Sequence, residues 1–456
     1  MGFYGLYVAV RDSLRVQNLL LLFGSALFYA WWDWRFLSLL AVSTLADFTI
    51  ARTLARTERI PTRRRLVALS LAVNLGILGF FKYAGFFADS FATAMAAVGW
   101  SVDPFTLDII LPVGISFYTF QTLSYTIDVY RKKLEPTRSL LQFAVFVSFF
   151  PQLVAGPIER ASRFLPQVAR PRVLTPAAWE SGLVLVAWGL FKKVVIADNA
   201  ANLANPIFDD PSAYSGLDLW LGALAFTLQI YGDFSGYTDI ARGLARWMGF
   251  ELMVNFRLPY FARGPSEFWR RWHLSLSTWL RDYLYISLGG NRGGRAQTYR
   301  NLLLTMWLGG LWHGARWTFV LWGTYHGLLL VLARMLRPFT VRLPDRPTVA
   351  LVQWMGMFAF TVMGWILFRA VSISHLIAFV SGLGLDTSPR SAERAFRLAL
   401  LWGPLWTVQL AQHFTNDLMV MRRGHWLMPM LFVTACVVAT LVFGVHEPVE
   451  FLYFQF

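Results

Sequence analysis

Apolar residues run along this chain in blocks, most of them about 17 to 25 residues long, which as helices cross a hydrocarbon core of about 30 Å. The blocks fall at 17–33, 36–51, 66–84, 106–130, 139–156, 180–197, 216–232, 302–332, 350–370, 396–412 and 428–446. The first connectors between them are strongly basic, as in "RTLARTERIPTRRR" (52–65) and "YRKK" (130–133). Basic connectors mark the cytoplasmic side of a membrane. That places the N-terminus inside, turns the first two spans at Trp34–Arg35, and sends the third out to a loop at about 85–105. The pattern predicts an all-α polytopic membrane protein, with about 10–12 helices in a single integral-membrane domain over 1–456.

Three stretches depart from this regularity. "FFPQLVAGPIERASRFLPQVARPRVLTP" (149–176) carries five prolines and cannot be one long helix. "DFSGYTDIARGLARWMGF" (233–250) and the segment 255–295 are rich in Trp and Arg and bounded by Pro259, Pro265 and the Gly289–Gly294 cluster. All three read as short interfacial or re-entrant helices. Irregular backbone is tolerated at membrane depth only where it is buried in protein or lines a wet cavity. The block 302–332 poses a different problem, because arginines flank it on both sides: Arg292, Arg295 and Arg300 before, Arg334, Arg337, Arg342 and Arg346 after. Either it crosses once and breaks the charge rule on one side, or it is a re-entrant pair of short helices turning near Trp312–Trp317.

Composition supports the membrane reading, with 56% hydrophobic residues, 16% aromatics and only 15% charged residues. The net charge of +15 sits in connectors rather than on one soluble face, which argues against a nucleic-acid partner. The single cysteine, Cys436, excludes an intramolecular disulfide and a thiolate metal cluster. Arg11, Asp12 and Arg15 interrupt the short apolar start, so the first long span reads as a retained anchor rather than a cleaved signal.

Ionisable residues deep in apolar sequence mark functional sites by default. "GGLWHGARWTFVLWGTYHG" (309–327) carries His313, Arg316 and His326. About eleven apolar residues at 1.5 Å each carry the chain roughly 16 Å inward to His313. His273 lies upstream in "EFWRRWHLSLS", with Trp269 and Ser277 at i−4 and i+4 on one helix face; Arg316 and Trp317 stand at i+3 and i+4 from His313. On a continuous helix His326 points away from His313 and reads as a structural histidine. Neither H-E-x-x-H nor a Cys/His pair at ligand spacing is present, so no metal site and no bound cofactor are expected. The chain also lacks a G-x-S-x-G nucleophile elbow. A neutral imidazole in an apolar site is suited to accept a proton from a hydroxyl. Asp233, Asp239, Glu159 and Glu267 each sit beside arginine or aromatic residues and read mainly as ion pairs or helix caps. Arg257, Arg270 and Arg271 are candidates for holding a phosphate-bearing donor.

At this point "VSFFPQLVAGPIER" (147–160), "YGDFSGYTDIARG" (231–243), "NFRLPYFARGPSEFWRRWHLSLSTWLRDYLYISLGGNR" (255–292), "GGLWHGARWTFVLWGTYHG" and the closing "FLYFQF" resemble the membrane-bound O-acyltransferases, in the bacterial branch that acetylates alginate. The resemblance covers nearly the whole chain, with its core signature at about 147–332. It implies a ring of helices, with short re-entrant and interfacial ones, around a central channel where an acyl donor from the cytosol meets an acceptor from the other face. It places the family's catalytic histidine on His313 and its second signature histidine on His273, and favours the paired-helix reading of 302–332. One departure is that the family begins with a full apolar span before "NLLLLFGSALFYAWW", whereas only "MGFYGLYVAV" precedes it here.

The expected function is movement of an acetyl group, from acetyl-CoA or another acyl thioester, across the bacterial inner membrane for O-acetylation of an exopolysaccharide, alginate first. His313 acts as base or acyl carrier, His273 is the second site residue, and Trp312, Arg316 and Trp317 shape the pocket. The resemblance implies a cytosolic donor or carrier, periplasmic acetyltransferase partner proteins and a polysaccharide acceptor. Peptidoglycan, cellulose or a lipid are alternative acceptors. A proton-coupled transporter should show internal repeats, which are not evident here, and a structural scaffold would tolerate replacement of His313.

Overall fold

The computed structural model describes residues 2–101, 110–342, 344, 346–445 and 450–452, and every regular element among them is helical. The start of the span expected at 106–130, the end of that at 428–446 and most of "FLYFQF" lie outside the described residues. Among the described residues four stretches are long and apolar enough to cross a membrane: Leu14–Arg56, Ile60–Ala97, Trp317–Thr340 and Pro347–Arg369. The chain divides into two compact units, Met1–Ala178 with Leu244–Met253, and Trp179–Gly243 with Val254–Phe456.

In the first unit, helices Leu14–Asp33 and Leu37–Arg56 join at a 3-10 turn over Trp34–Phe36, where the Asp33 carboxylate accepts the Arg35 N–H at 2.9 Å. The third span does not give way to a loop at 85. Helix Ile60–Leu78 continues through a π-turn at Gly79–Tyr83 into helix Ala84–Ala97, because alanine and phenylalanine dominate "AGFFADSFATAMAA" and no proline stops it. The block 139–156, by contrast, is not one span. Phe149 leaves helical geometry (φ −52°, ψ 106°), separating Leu140–Ser148 from the short helix Phe150–Leu153 that Pro151 opens.

A polar knot joins the helices of this unit. Asp47 is fully buried and accepts hydrogen bonds from Ser70 Oγ, from Asn74 Nδ2 at 2.7 Å and from Thr126 Oγ1 at 2.8 Å. A carboxylate out of reach of water needs such donors, so the two helices that supply them, Ile60–Leu78 and Ile115–Tyr130, are fixed against the helix that carries Asp47.

The largest departure from expectation is the stretch 233–250. Residues up to 247 are not short interfacial helices but the second half of one helix of 32 residues, Gly216–Trp247. Its glycines are contact surfaces rather than breakers. A Cβ on Gly236 would stand 2.7 Å from the Gly189 carbonyl oxygen, and one on Gly243 would stand 2.6 Å from that of Gly182, so helix Pro176–Leu190 packs backbone to backbone against it. Its charges are paired inward: Lys192 Nζ donates to Asp239 at 2.7 Å and to Ser235 at 2.9 Å, and Lys193 Nζ bridges Asp198 and Asp233, each at 2.8 Å. The segment 255–285 is broken into short helices, as its prolines predict: Pro259–Phe261, Pro265–Trp269, Leu274–Trp279 and a π-turn Leu280–Tyr285.

The block 302–332 turns where expected, but its two helices are not short: it is a hairpin of Gly294–His313, 20 residues, followed by Trp317–Thr340, 24 residues, the second long and apolar enough to cross a membrane. Both arginine-rich flanks therefore lie at the same, open end of the hairpin. Gly310 and Gly323 make the close approach possible: a Cβ on Gly323 would stand 3.0 Å from the Met306 carbonyl carbon and 3.1 Å from Trp307 Cα.

Candidate functional site

His313 is the last residue of the first hairpin helix. Gly314 and Arg316 are extended (φ −169° and −144°), which ends that helix and starts the next. The relation assumed between His313, Arg316 and Trp317 on one helix face therefore does not exist. Trp317 is 53% exposed, and neither it nor Arg316 lines the cavity beside His313. Trp312 does stay with the site, buried, with its ring centroid 5.1 Å from that of His313 and 5.9 Å from that of His273.

Aromatic rings enclose His313 at 5.0 Å (Trp322) and 5.3 Å (Phe368), and His273 stands 6.5 Å away. Both histidines are buried. His273 is not in mid-helix, as the i, i+4 spacing suggested. It adopts a left-handed backbone (φ 42°, ψ 56°) between helices Pro265–Trp269 and Leu274–Trp279. A non-glycine residue reaches that region at a cost, and such conformations concentrate at functional sites.

A cavity of about 190 Å³ opens onto His313, lined among others by Trp269, Ser277, Leu280, Arg281, Met306 and Trp322. Trp269 and Ser277 thus meet the site through this cavity, not through a shared face with His273. The Ser277 hydroxyl is committed to the Trp272 carbonyl at 3.0 Å, which suits a wall better than a nucleophile. Of the donor candidates, Arg271 is held by Glu267 at 2.6 and 3.0 Å, while Arg257 and Arg270 are exposed; none of the three lines the cavity. Arg281 does, with its guanidinium bonded to Asp282 at 2.7 Å. Sequence reasoning missed Arg281 and Trp322, since only the fold brings them to His313.

The hairpin also corrects the placing of His326. Because the chain turns back after His313, His326 lies 4.8 Å from Trp322 and 5.2 Å from Trp269, one ring removed from His313. The acidic residues have structural partners, as their neighbours suggested. Asp233 and Asp239 hold lysines, Glu267 holds Arg271, and Glu159 accepts the Met253 backbone N–H. Among the described residues no group of three or more His, Cys, Asp or Glu side chains is gathered to hold a metal.

The fold and site define a helical membrane protein with two buried imidazoles 6.5 Å apart, one of them, His313, on the wall of an apolar cavity. The family model for the membrane-bound O-acyltransferases matches residues 135–374, and the chain belongs to that family; it is a multi-pass membrane acyltransferase. It is 47% identical over 373 residues to "Probable alginate O-acetylase AlgI" of Azotobacter vinelandii, covering 81% of this chain and 73% of that protein. Similarity extends to "Peptidoglycan O-acetyltransferase" of Helicobacter pylori, at 36% identity over 84% of this chain and 77% of that protein. A more distant relative is "Teichoic acid D-alanyltransferase" of Streptococcus thermophilus, at 29% identity over 54% and 63%.

Proposed function

We propose that this chain takes an acetyl group from a cytosolic thioester, acetyl-CoA or a carrier-bound equivalent, and moves it across the bacterial inner membrane for O-acetylation of an exopolysaccharide. Alginate is the first choice of polymer, on the strength of the relatives that are 47% identical. The observation that carries the reading is the position of His313 at the closed tip of a helical hairpin, on the wall of an apolar cavity and 6.5 Å from a second buried imidazole.

In this reading the cavity excludes water from the thioester. His313 takes the proton of an acceptor hydroxyl while that oxygen bonds to the acyl carbon. The C–S bond then breaks and the departing sulfur receives the proton. Trp269, Met306 and Trp322 shape the space for the thioester, and Arg281 holds negative charge on the donor. His273 is the second imidazole of the site. Periplasmic partner proteins carry the acetyl group on to the polymer.

The test is the acetyl ester content of the secreted polysaccharide in cells whose only copy carries His313→Ala, with membrane levels matched by blotting. Cys436→Ala is the control, because Cys436 is buried against a different groove. Loss of acetyl in His313→Ala alone supports the reading, and unchanged acetylation refutes it. Acetyl esters found on peptidoglycan instead would move the acceptor to that of the Helicobacter pylori relative.

A further inference from the structure

Asn255 stands 18 residues before His273 in sequence, in the irregular segment after the long helix, and is 1% exposed. Its backbone carbonyl accepts the Leu274 N–H at 2.9 Å, and two residues on the Arg257 N–H returns a bond to the Arg271 carbonyl, also at 2.9 Å. These bonds clamp the chain on either side of His273. The Asn255 side chain then reaches the histidine itself. Its Oδ1 accepts the Ser275 N–H at 3.1 Å and the Ser275 hydroxyl at 2.7 Å, and lies 3.3 Å from His273 Nδ1.

This arrangement removes the usual ambiguity of amide orientation and, for the ring as it stands, sets the tautomer. A backbone N–H can only donate, so the atom facing Ser275 N must be the amide oxygen and not the NH2 group. An amide oxygen can only accept, so the ring nitrogen that faces it must carry a hydrogen. In neutral His273 the hydrogen is therefore on Nδ1 and the lone pair is on Nε2. The opposite edge of Asn255 has a distinct environment. Its Nδ2 has no hydrogen-bond partner among the described residues, and Asn255 lines a polar cavity of about 40 Å³ with Lys192, Ser235, Asp239 and Arg242. A water needs roughly 10–15 Å³ of such space, so about three or four waters fit.

We propose that Asn255 is a positioning residue of the acyl transfer: it holds the strained His273 in place and fixes its tautomer, so that the neutral ring keeps its Nε2 lone pair available as a hydrogen-bond acceptor at the site. The inference rests on the reading of His273 and His313 as the acyl-transfer pair. Asn255→Asp keeps an acceptor for all three donors but adds a negative charge beside the ring. An opposite charge at that distance stabilises the imidazolium by about 1–3 pKa units. The acid limb of the rate–pH profile, measured as acetyl transfer from acetyl-CoA in membrane vesicles, should move up by one to three pH units. Asn255→Ala should lose about tenfold to a hundredfold in kcat with KM for acetyl-CoA little changed. An unshifted profile in Asn255→Asp, or a full rate in Asn255→Ala, overturns the proposal.

A second measurement does not depend on the variants folding. In 15N-histidine solid-state NMR of the wild-type protein in lipid, the signals lost in His273→Gln should be those of an Nδ1-protonated ring. An Nε2-protonated ring overturns the proposal. Failure here is distinct from failure of the site reading, which His313→Ala tests without reference to the His273 tautomer.

Discussion

Replacing Gly323 by alanine tests whether the hairpin's closeness holds His313 where the chemistry needs it. The added Cβ would collide with the Met306 carbonyl oxygen, and stand 3.0 Å from its carbon and 3.1 Å from Trp307 Cα. All three are backbone atoms, so no side chain can swing aside. Ordinary carbon contacts lie at about 3.5–4.0 Å, and the two helices must part by about 1 Å to restore them. Overpacking of this kind costs about 1–3 kcal/mol of stability. The larger effect should be on rate, since His313 ends the displaced helix, seven residues beyond Met306. A misplacement of about 1 Å lowers a rate on the order of 10²-fold, equivalent to about 2.7 kcal/mol of barrier. The control is Gly356→Ala in helix Pro347–Arg369, where a Cβ meets nothing within 4 Å. Acetyl transfer from acetyl-CoA would be measured in membrane vesicles with protein amounts equalised by blotting. Gly323→Ala at the wild-type rate and the wild-type membrane level would refute the argument that backbone contact positions His313.

Other substitutions separate support from chemistry. Asp47→Ala leaves the Ser70, Asn74 and Thr126 donors without their shared acceptor; each buried orphan costs about 1–3 kcal/mol, so the unfolding temperature in detergent should fall sharply while the rate per folded molecule is kept. Arg281→Ala should raise KM for the thioester donor several-fold with kcat little changed, whereas Arg257→Ala and Arg270→Ala, away from the cavity, should not; equal effects in all three would remove Arg281 from the donor site. Burial pushes the Glu159 carboxyl up to about 7 from its ordinary 4.5. Between those values the folded protein binds more protons than the unfolded chain, so this contribution to stability is complete below about pH 4.5 and is lost as pH rises through 7. Glu159→Gln should flatten that decline in thermal unfolding scans from pH 5 to 8, and an unchanged slope would place its cause elsewhere.

The sequence by itself determined the membrane character, the position of most helices and the break-up of 255–285, because apolar length, basic connectors and proline act locally. The arginines on both sides of 302–332 left a single crossing and a re-entrant pair of short helices both open, and the fold decided for two long antiparallel helices. His313 and His273 were legible as candidates because ionisable residues in apolar surroundings stand out in any window. Tertiary structure alone decided what those histidines face. The left-handed turn at His273 broke the helix face on which Trp269 and Ser277 had been placed, and the turn after His313 sent Trp317 outward and folded Trp322 and His326 back. The glycines and charges of 233–247 looked like interruptions because their partners, Gly189, Lys192 and Lys193, lie some 40 residues earlier in the chain. Periodicity reports the burial of one element against an average surrounding. It carries no information on which other element supplies the surrounding, so the Asn255 contact to His273 and the approach of Arg281 to His313 exist only once the chain has folded.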